Sequence, residues 1–229
     1  MNIGIIGAGR FGKLLAEQLE NDNKIFLFDK LDDKDELESC NLVIYAVPNS
    51  LLQDVINETK EFIQSDAIVM DVGSVKIKPC AVLQEAFGEN ILGTHPLFGP
   101  DSASDSWEGH KMVFCKLNIP DDQYNKVKEL FISRGVKAIE CSPEEHDKMM
   151  AKTQALVHYI GRALSGIKEQ EISTPDYANL LRMMEKVTHD TWELFYDMQN
   201  LNPYAKLERE KFSKNIAELE EKINQELDK

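Results

Sequence analysis

The sequence predicts an α/β protein, in which a doubly wound, mostly parallel sheet is followed by a small all-helical C-terminal domain. Up to about residue 141, short runs of successive apolar residues alternate with segments of helical period, as in strands buried on both faces. A glycine-rich GxGxxG turn follows the first of these runs. After Ser142 the strand pattern stops and helix-start signals replace it.

The predicted sheet is built from βα units that follow one another along the chain. The strands expected in the first part cover residues 3–6, 25–28, 42–47, 68–70 and 91–92. The helices between them cover residues 10–19, 50–63 and 78–87. A further unit follows, with strands at 112–115 and 136–139 and a helix at 121–133. This alternation is typical of a parallel sheet covered by helices.

The second part carries three helix-start signals. Ser142-Pro143-Glu144-Glu145 resembles an N-cap followed by Pro at N1 and Glu at N3, and predicts a helix to about Lys168. Thr174-Pro175 and Asn202-Pro203 predict two more helices, the last of them amphipathic. The expected division is therefore a dinucleotide-binding domain at 1–142 and a helical substrate or dimerisation domain at 143–229.

Composition limits the classes of partner. The 229 residues are 42% hydrophobic and 29% charged, which is ordinary for a globular protein, and carry a formal net charge of −14. So acidic a chain is not expected to bind nucleic acid or an anionic membrane, because phosphate contacts need clustered Lys and Arg. No apolar run approaches a membrane span, the N-terminus lacks signal-peptide features, and the four cysteines are scattered. We therefore expect a cytoplasmic protein without a metal site.

The GxGxxG turn predicts a dinucleotide site. Its members are Gly7, Ala8, Gly9, Arg10, Phe11 and Gly12. Gly7 permits the tight turn, Gly9 lets the backbone approach a pyrophosphate, and Gly12 lets the helix pack close to the strand. The helix N-terminus adds unpaired N–H groups and positive potential.

Asp29 bears on the choice of cofactor. It ends the second predicted strand, where a carboxylate accepts hydrogen bonds from ribose hydroxyls and repels a 2′-phosphate. NAD is therefore expected rather than NADP, although Lys30 stands beside it. The alternative is that Asp29 only begins the next turn.

Two further segments follow strand ends. DVGSVK, with Ser74, comes after the fourth strand, and GTHPLFGPDS, with His95, comes after the fifth. Ligands of doubly wound sheets bind outside the carboxyl ends of the strands, so Ser74 and His95 are expected to converge beside a nicotinamide. Gly and Pro around His95 predict a rigid loop. A histidine that only packs is the alternative.

GAGRFG, DVGSVK and GTHPLFGP, in this order and spacing, resemble the prephenate/arogenate dehydrogenase family. The stretch from His146-Asp147 to His158 and the later Pro-initiated helices are also similar to that family. The resemblance implies oxidative decarboxylation of prephenate or arogenate, in which NAD takes a hydride and the ring becomes aromatic. It implies that His95 accepts the ring-hydroxyl proton and that Ser74 bonds the same hydroxyl.

The resemblance also implies substrate contacts. His158 would line the pocket from the helical domain, unless it packs internally. Asp101, six positions after His95, would lie at the pocket edge, unless it is a solvated loop acid. The family anchors a carboxylate with an Arg; the resemblance aligns Lys186 with that position, and Arg182, one helical turn earlier, is the other candidate. Surface ion pairing is the alternative for both. The family also implies a homodimer through the helical domain.

Two other functions are also compatible with the sequence. One is a hydroxyacid or imine oxidoreductase that shares the dinucleotide turn and a helical second domain. The other is a module that binds NAD and senses it without turnover.

Overall fold

A computed structural model describes residues 1–30 and 32–227. Two compact units divide between His146 and Asp147. The sequence places the domain boundary slightly earlier, after Ser142, and the roles assigned to the two domains stay predictions.

In the described part of the first unit, seven strands form one sheet in the order β2-β1-β3-β4-β5-β6-β7. The strands are β1 (Asn2–Ile6), β2 (Lys24–Phe28), β3 (Leu42–Tyr45), β4 (Ile68–Asp71), β5 (Ile91–Pro96), β6 (Lys111–Lys116) and β7 (Lys137–Glu140). Neighbours from β2 to β5 are parallel, β6 is antiparallel to β5, and β7 is parallel to β6. The predicted fold class, a doubly wound and mostly parallel sheet, is confirmed.

The sheet forms here because the central strands are apolar on both faces. Every residue of β3 and of β4 is buried, which is what a run without alternation predicts. The strand order reverses between β1 and β3, which lie side by side. That reversal opens the crevice in which doubly wound sheets bind ligands, at the carboxyl ends of the strands.

Helices follow most of the strands. Those of the first unit are α1 (Arg10–Leu19), α2 (Leu52–Thr59), α3 (Ile77–Phe87), α4 (Pro100–Ala103) and α5 (Asp121–Ile132). Helix α6 (Pro143–Met150) begins at the end of this unit. The predicted cap is confirmed, because the Glu145 backbone N–H donates to Ser142 Oγ at 3.2 Å and the Ser142 backbone N–H donates to Glu145 Oε2 at 2.9 Å.

The described secondary structure of the second unit is helical. It comprises a π-helical turn (Ala151–Ala155), α7 (Leu156–Ala163), α8 (Pro175–Thr188), α9 (Trp192–Asn200) and α10 (Ala205–Leu227). The cap of α8 is confirmed, because Thr174 Oγ1 accepts from the Tyr177 backbone N–H. None of the helices in the described part of the chain has both the length and the apolar content that a membrane crossing requires.

Two expectations for this unit are wrong. The helix predicted from Ser142 to about Lys168 is interrupted by the π-helical turn and ends at Ala163. A π-helical turn leaves backbone carbonyls without their usual partners, and the Gln199 side chain, distant in sequence, donates to the Ala155 carbonyl at 2.7 Å. The sequence also predicts one helix between Thr174 and Asn202, whereas the structure has two, because α8 ends at Thr188 and Thr191 Oγ1 accepts from the Leu194 backbone N–H to cap α9.

Candidate active site

The turn between β1 and α1 depends on two glycines. Gly7 has φ +116°, and a Cβ there would lie 2.4 Å from the Ala46 carbonyl oxygen. A Cβ at Gly12 would lie 1.8 Å from the Gly7 carbonyl oxygen. Any side chain would therefore push α1 away from the end of β1, as the motif predicts.

The middle glycine of the turn, Gly9, is open to a ligand. Among the described residues, nothing lies within 4 Å of a Cβ built on Gly9. Gly9 is the N-cap of α1 and its helix has no side-chain cap, so the first N–H groups of α1 face the open side. These features fit the pyrophosphate of a dinucleotide, which needs close backbone approach and N–H donors.

Asp29 follows β2 and is exposed. Its Oδ1 accepts from the Lys30 backbone N–H at 2.8 Å, and its own backbone N–H donates to Asp32 Oδ2 at 2.6 Å. The carboxylate is thus part of a local turn and still reachable from solvent. Both interpretations of this residue, a turn acid and a ribose ligand, fit the geometry.

Ser74 lies three residues beyond β4 and is buried, with 6% of its surface exposed. Its Oγ has no hydrogen-bond partner among the described residues. A buried hydroxyl without a partner is costly, so a ligand that bonds it would remove this penalty.

A buried ion pair lies beside Ser74. Lys76 Nζ donates to Asp71 Oδ2, and the two side chains are 0% and 2% exposed. Asp71 Oδ2 also accepts the Gly73 backbone N–H at 3.0 Å. Burial raises the pKa of Asp71, and the ammonium of Lys76 opposes that rise. The pair connects the end of β4 with the start of α3.

His95 lies within β5, and not on the loop that the sequence predicts after it. The strand continues through Gly93, Thr94, His95 and Pro96 because it pairs with β6, where His95 stands opposite Val113. β4 and β5 are adjacent and parallel, so Ser74 and His95 belong to the same edge of the sheet as the Gly7 turn. The predicted placement of both residues at neighbouring strand ends is consistent with this arrangement.

The ring of His95 contacts a second histidine. His95 Nδ1 and His146 Nε2 are 2.8 Å apart, and the rings meet edge to face at 71°. Both side chains are buried, with 4% and 0% of their surfaces exposed. In the sequence, His146 belongs to a segment similar to the family, and nothing there marks it as a residue of the site. The two histidines are 51 positions apart, and no local pattern signals their contact.

The environment of His95 favours its neutral form. Its pKa is lowered well below the ordinary value, first by burial, then by His146 and by the ammonium of Lys76. A neutral imidazole has one nitrogen with a free lone pair, which is what a proton acceptor requires.

Asp101 lies in the first turn of α4 and forms an ion pair with Arg10 of the glycine turn. Both side chains are more than half exposed, so the pair contributes little to stability. The rings of Phe11 and Phe98 also meet, with centroids 6.3 Å apart. The segment after His95 thus packs against the turn that is predicted to hold the cofactor.

In the second unit, His158 lies on α7 and is 8% exposed. Its Nδ1 lies 3.6 Å from Asp190 Oδ2, and its pKa is lowered, first by burial, which outweighs the opposing effect of Asp190. Arg162, one turn further along, donates to the Asp190 carbonyl oxygen and lies 4.1 Å from the Trp192 ring centroid. Arg162 therefore holds the link between α8 and α9.

Lys186 and Arg182 are both exposed on α8. Four residues apart, they project from the same face of that helix. Arg182 bonds Asn179 within its own helix and also lines a cleft of about 560 Å³, together with Ile167, Tyr177 and Glu185. Each cation is accessible, and the geometry does not choose between them as a carboxylate ligand.

The glycine turn of the first unit thus has the shape that a dinucleotide requires, and the lowered pKa of His95 favours the neutral imidazole that a proton acceptor needs. In the described part of the chain, no group of three or more His, Cys, Asp or Glu side chains is arranged to hold a metal ion.

Comparison with known families gives two matches along this chain. The family described as "Prephenate dehydrogenase, nucleotide-binding domain" matches residues 16–140. That range begins after the glycine turn and includes Asp29, Ser74, His95 and Asp101. The family described as "TYRAAT1-like, C-terminal domain" matches residues 163–229.

Individual relatives carry similar names. The chain is 29% identical to "Arogenate dehydrogenase 2, chloroplastic" of Arabidopsis thaliana, over 90% of this chain and 65% of that protein. It is 28% identical to "Probable arogenate/prephenate dehydrogenase" of Methanocaldococcus jannaschii, over 79% of this chain and 43% of that protein. The chain therefore spans less than two thirds of either relative.

A solved structure of similar fold is the prephenate dehydrogenase of A. aeolicus in complex with hydroxyphenyl propionate and NAD⁺. The TM-score is 0.81 at 20% identity, over 100% of this chain and 92% of that chain. At this identity the similarity supports the fold.

Proposed function

Because this chain belongs to the prephenate dehydrogenase family, we propose that it catalyses the NAD-dependent oxidative decarboxylation of prephenate or arogenate. The observation that carries the proposal is the placement of a buried His95 of lowered pKa, with the unpartnered Ser74 hydroxyl, at the sheet edge that also holds the glycine turn. The names of the relatives agree with this reaction.

His95 performs the proton transfer. The substrate ring carries a hydroxyl, and loss of a hydride from its carbon requires the O–H proton to leave. A neutral His95 accepts that proton, and the unpartnered Ser74 hydroxyl bonds the same oxygen and orients it. Once the ring carboxylate leaves as CO₂, the ring oxygen becomes a phenolate, and the protonated His95 returns the proton to it. Protons therefore balance over the cycle.

The cofactor site consists of the turn from Gly7 to Gly12, with Asp29 as the ribose ligand. When bound there, NAD supplies the hydride acceptor. Gly9 and the first N–H groups of α1 bind the pyrophosphate, and Arg10 stands beside them, ion-paired to Asp101. The carboxylate of Asp29 favours NAD over NADP.

The second unit supplies substrate binding in this proposal. His158 contacts the substrate, and either Lys186 or Arg182 anchors a carboxylate; both are accessible on α8. Asp101 lies at the edge of the pocket, as an exposed acid close to the glycine turn. Changing Lys186→Met and Arg182→Met separately identifies the anchor as the variant whose KM rises.

The test mixes purified protein with prephenate or arogenate and with NAD or NADP, and measures reduced cofactor together with the aromatic product. We expect turnover with NAD and at least one substrate. His95→Asn should lower kcat by about 10²- to 10⁴-fold while NAD binding stays near normal. His189→Asn is the matched control. It changes an exposed histidine at the C-terminal end of α8 and should keep wild-type turnover.

Absence of turnover in all four combinations would contradict the proposal. If NAD then binds without product formation, the sensing module becomes the better explanation. Turnover of a hydroxyacid or an imine, with His95→Asn unaffected, would favour the other oxidoreductase class.

We also propose a homodimer through the helical unit. Along α10, Leu207, Ile216, Leu219 and Ile223 are 46% to 57% exposed in the single chain. Trp192 and Tyr196 on α9 are 54% and 52% exposed. Large apolar side chains exposed in this way fit a partner surface. Light scattering should give twice the chain mass, and Leu219→Glu should lower it to that of one chain.

A cytoplasmic location completes the proposal. Cys40, Cys80 and Cys115 are buried cysteines outside any disulfide, and burial raises the pKa of Cys40 to about 11. Thiols in this state fit a reducing compartment. Fractionation of the source cells, followed by detection of the protein, tests the location.

A further inference from the structure

The contact between His95 and His146 constrains where the hydrogens of the two rings lie. His95 Nδ1 and His146 Nε2 are separated by 2.8 Å, which is a hydrogen-bond distance. In such a contact one nitrogen carries a hydrogen and the other offers a lone pair. With both rings neutral, there are therefore two arrangements.

The two arrangements differ in what His95 can do. If His95 Nδ1 carries the hydrogen, His95 Nε2 has a lone pair and can accept a proton. If His146 Nε2 carries it, a neutral His95 bears its hydrogen on Nε2 and cannot act as a base there.

Only the first arrangement tolerates a change of charge on His95. When His95 gains a proton at Nε2, its Nδ1–H still donates to His146 and no hydrogen has to move between the rings. In the second arrangement, a protonated His95 would direct one N–H against another at 2.8 Å. A buried site that holds a proton transiently therefore needs His146 as an acceptor.

Both rings are held by regular structure. His95 lies within β5, hydrogen-bonded to β6, and His146 lies on α6, whose first turn is closed by the Ser142 and Glu145 contacts. The ring contact is therefore set by a strand and a capped helix, and both side chains are almost wholly buried. Such a contact fixes ring orientation as well as hydrogen position.

We propose that His146 is a positioning residue that accepts the Nδ1–H of His95, and so keeps His95 Nε2 as the atom that takes the substrate proton. This inference rests on the proposed dehydrogenase reaction for its consequence, but the hydrogen position itself is a property of the protein alone. His146 does not touch the substrate in this proposal, and it acts only through His95.

The first test is NMR of protein labelled with ¹⁵N in the histidine rings. The chain has five histidines, and His95→Asn and His146→Gln assign the two relevant rings. At a pH where both rings are neutral, we expect hydrogen on His95 Nδ1 and none on His95 Nε2. Finding the hydrogen on His95 Nε2 in the wild-type protein overturns the proposal, and either folded variant is enough to assign the His95 ring.

The second test compares two changes at position 146. His146→Gln keeps an acceptor oxygen at about the reach of Nε2, whereas His146→Leu has similar bulk and no acceptor. Without the acceptor, His95 is expected to revert to the Nε2–H form that histidine prefers in water. We expect His146→Leu to lower kcat about 10- to 100-fold, the loss typical when an imidazole loses the partner that orients it, with little change in KM. His146→Gln should recover most of this loss.

His189→Gln and His189→Leu, at an exposed histidine, are the matched controls and should both behave as wild type. Equal kcat values for the two position-146 variants, with both folded and both binding NAD, would overturn the positioning role. If the wild-type protein turns over neither substrate, the proposed function fails, and the NMR result still decides the hydrogen position.

Discussion

The buried ion pair of Lys76 and Asp71 connects the end of β4 with the start of α3, and its contribution to the stability of the first unit can be measured. Lys76→Met keeps the length of the side chain and removes its charge. Asp71 then remains as a carboxylate that is 2% exposed, with the Gly73 N–H still donating to Oδ2. Breaking such a pair from one side costs about 3–5 kcal/mol, because the remaining charge is buried without compensation. In a chain of this size that lowers Tm by roughly 6–20 °C.

The positions of the two tryptophans allow the stability of the first unit to be measured separately from that of the second. Trp107 is 1% exposed in the first unit, where it stacks on Phe131, whereas Trp192 is half exposed in the second. In a Trp192→Phe background, fluorescence during urea unfolding reports the first unit alone. The free energy of unfolding of Lys76→Met should be about 3–5 kcal/mol lower than that of the wild type, with an unchanged m-value.

The sign of the pH dependence gives a second check. Without Lys76, the pKa of Asp71 rises further above that of an unfolded Asp, about 3.9. The folded variant then binds a proton more tightly than the unfolded chain, so its deficit is largest above the folded pKa and shrinks as pH falls through it. Lys78→Met, at an exposed position two residues away, should change stability by no more than about 0.5 kcal/mol. Equal stabilities for the two variants would refute the reasoning.

Four further outcomes are expected at the proposed cofactor and proton-transfer sites. Gly12→Ala places a Cβ 1.8 Å from the Gly7 carbonyl oxygen, so it should lower both Tm and NAD affinity, the latter by roughly 10- to 100-fold by calorimetry. Gly9→Ala, whose Cβ meets no described atom within 4 Å, should keep the wild-type Tm and lose NAD affinity. Wild-type NAD affinity in both Gly12→Ala and Gly9→Ala would contradict the proposal that this turn binds NAD. Asp29→Asn should reduce kcat/KM with NAD by about 10- to 100-fold, through the lost charged hydrogen bonds, and barely affect NADP. With neutral His95 as the proposed base and its pKa lowered by burial, the acidic limb of the kcat/KM profile should lie below about pH 6.5, and a limb at or above that value counts against His95.

Features that depend on neighbouring residues were predictable from the sequence. Unbroken apolar runs such as Leu42–Tyr45 predict strands buried on both faces, and the structure buries every residue of that strand. The glycine turn is similar, because its spacing has a local steric reason that the close approaches at Gly7 and Gly12 display. The Ser142 and Thr174 caps are also local, and both were predictable.

Expectations failed where a distant part of the chain decides local structure. β5 extends to Pro96 because β6 pairs with it, and two apolar residues followed by Gly-Thr-His-Pro do not show this in sequence. The interruption after Met150 is accompanied by the contact between the Gln199 side chain and the Ala155 carbonyl, 44 positions apart.

The sequence by itself indicated the residues of the candidate site: a glycine turn typical of dinucleotide binding, an acid after β2, a serine after β4 and a histidine that the structure places near the end of β5. These features follow from residue types at short spacing, because backbone sterics fix the conformation of the glycine turn and the order of parallel strands brings their carboxyl ends to one edge of the sheet. The tertiary structure decided how that histidine is set up, since β5 and α6 bring His95 and His146 within 2.8 Å across 51 positions. Burial then lowers the pKa of His95, and burial is a property of the packed chain that no short motif encodes.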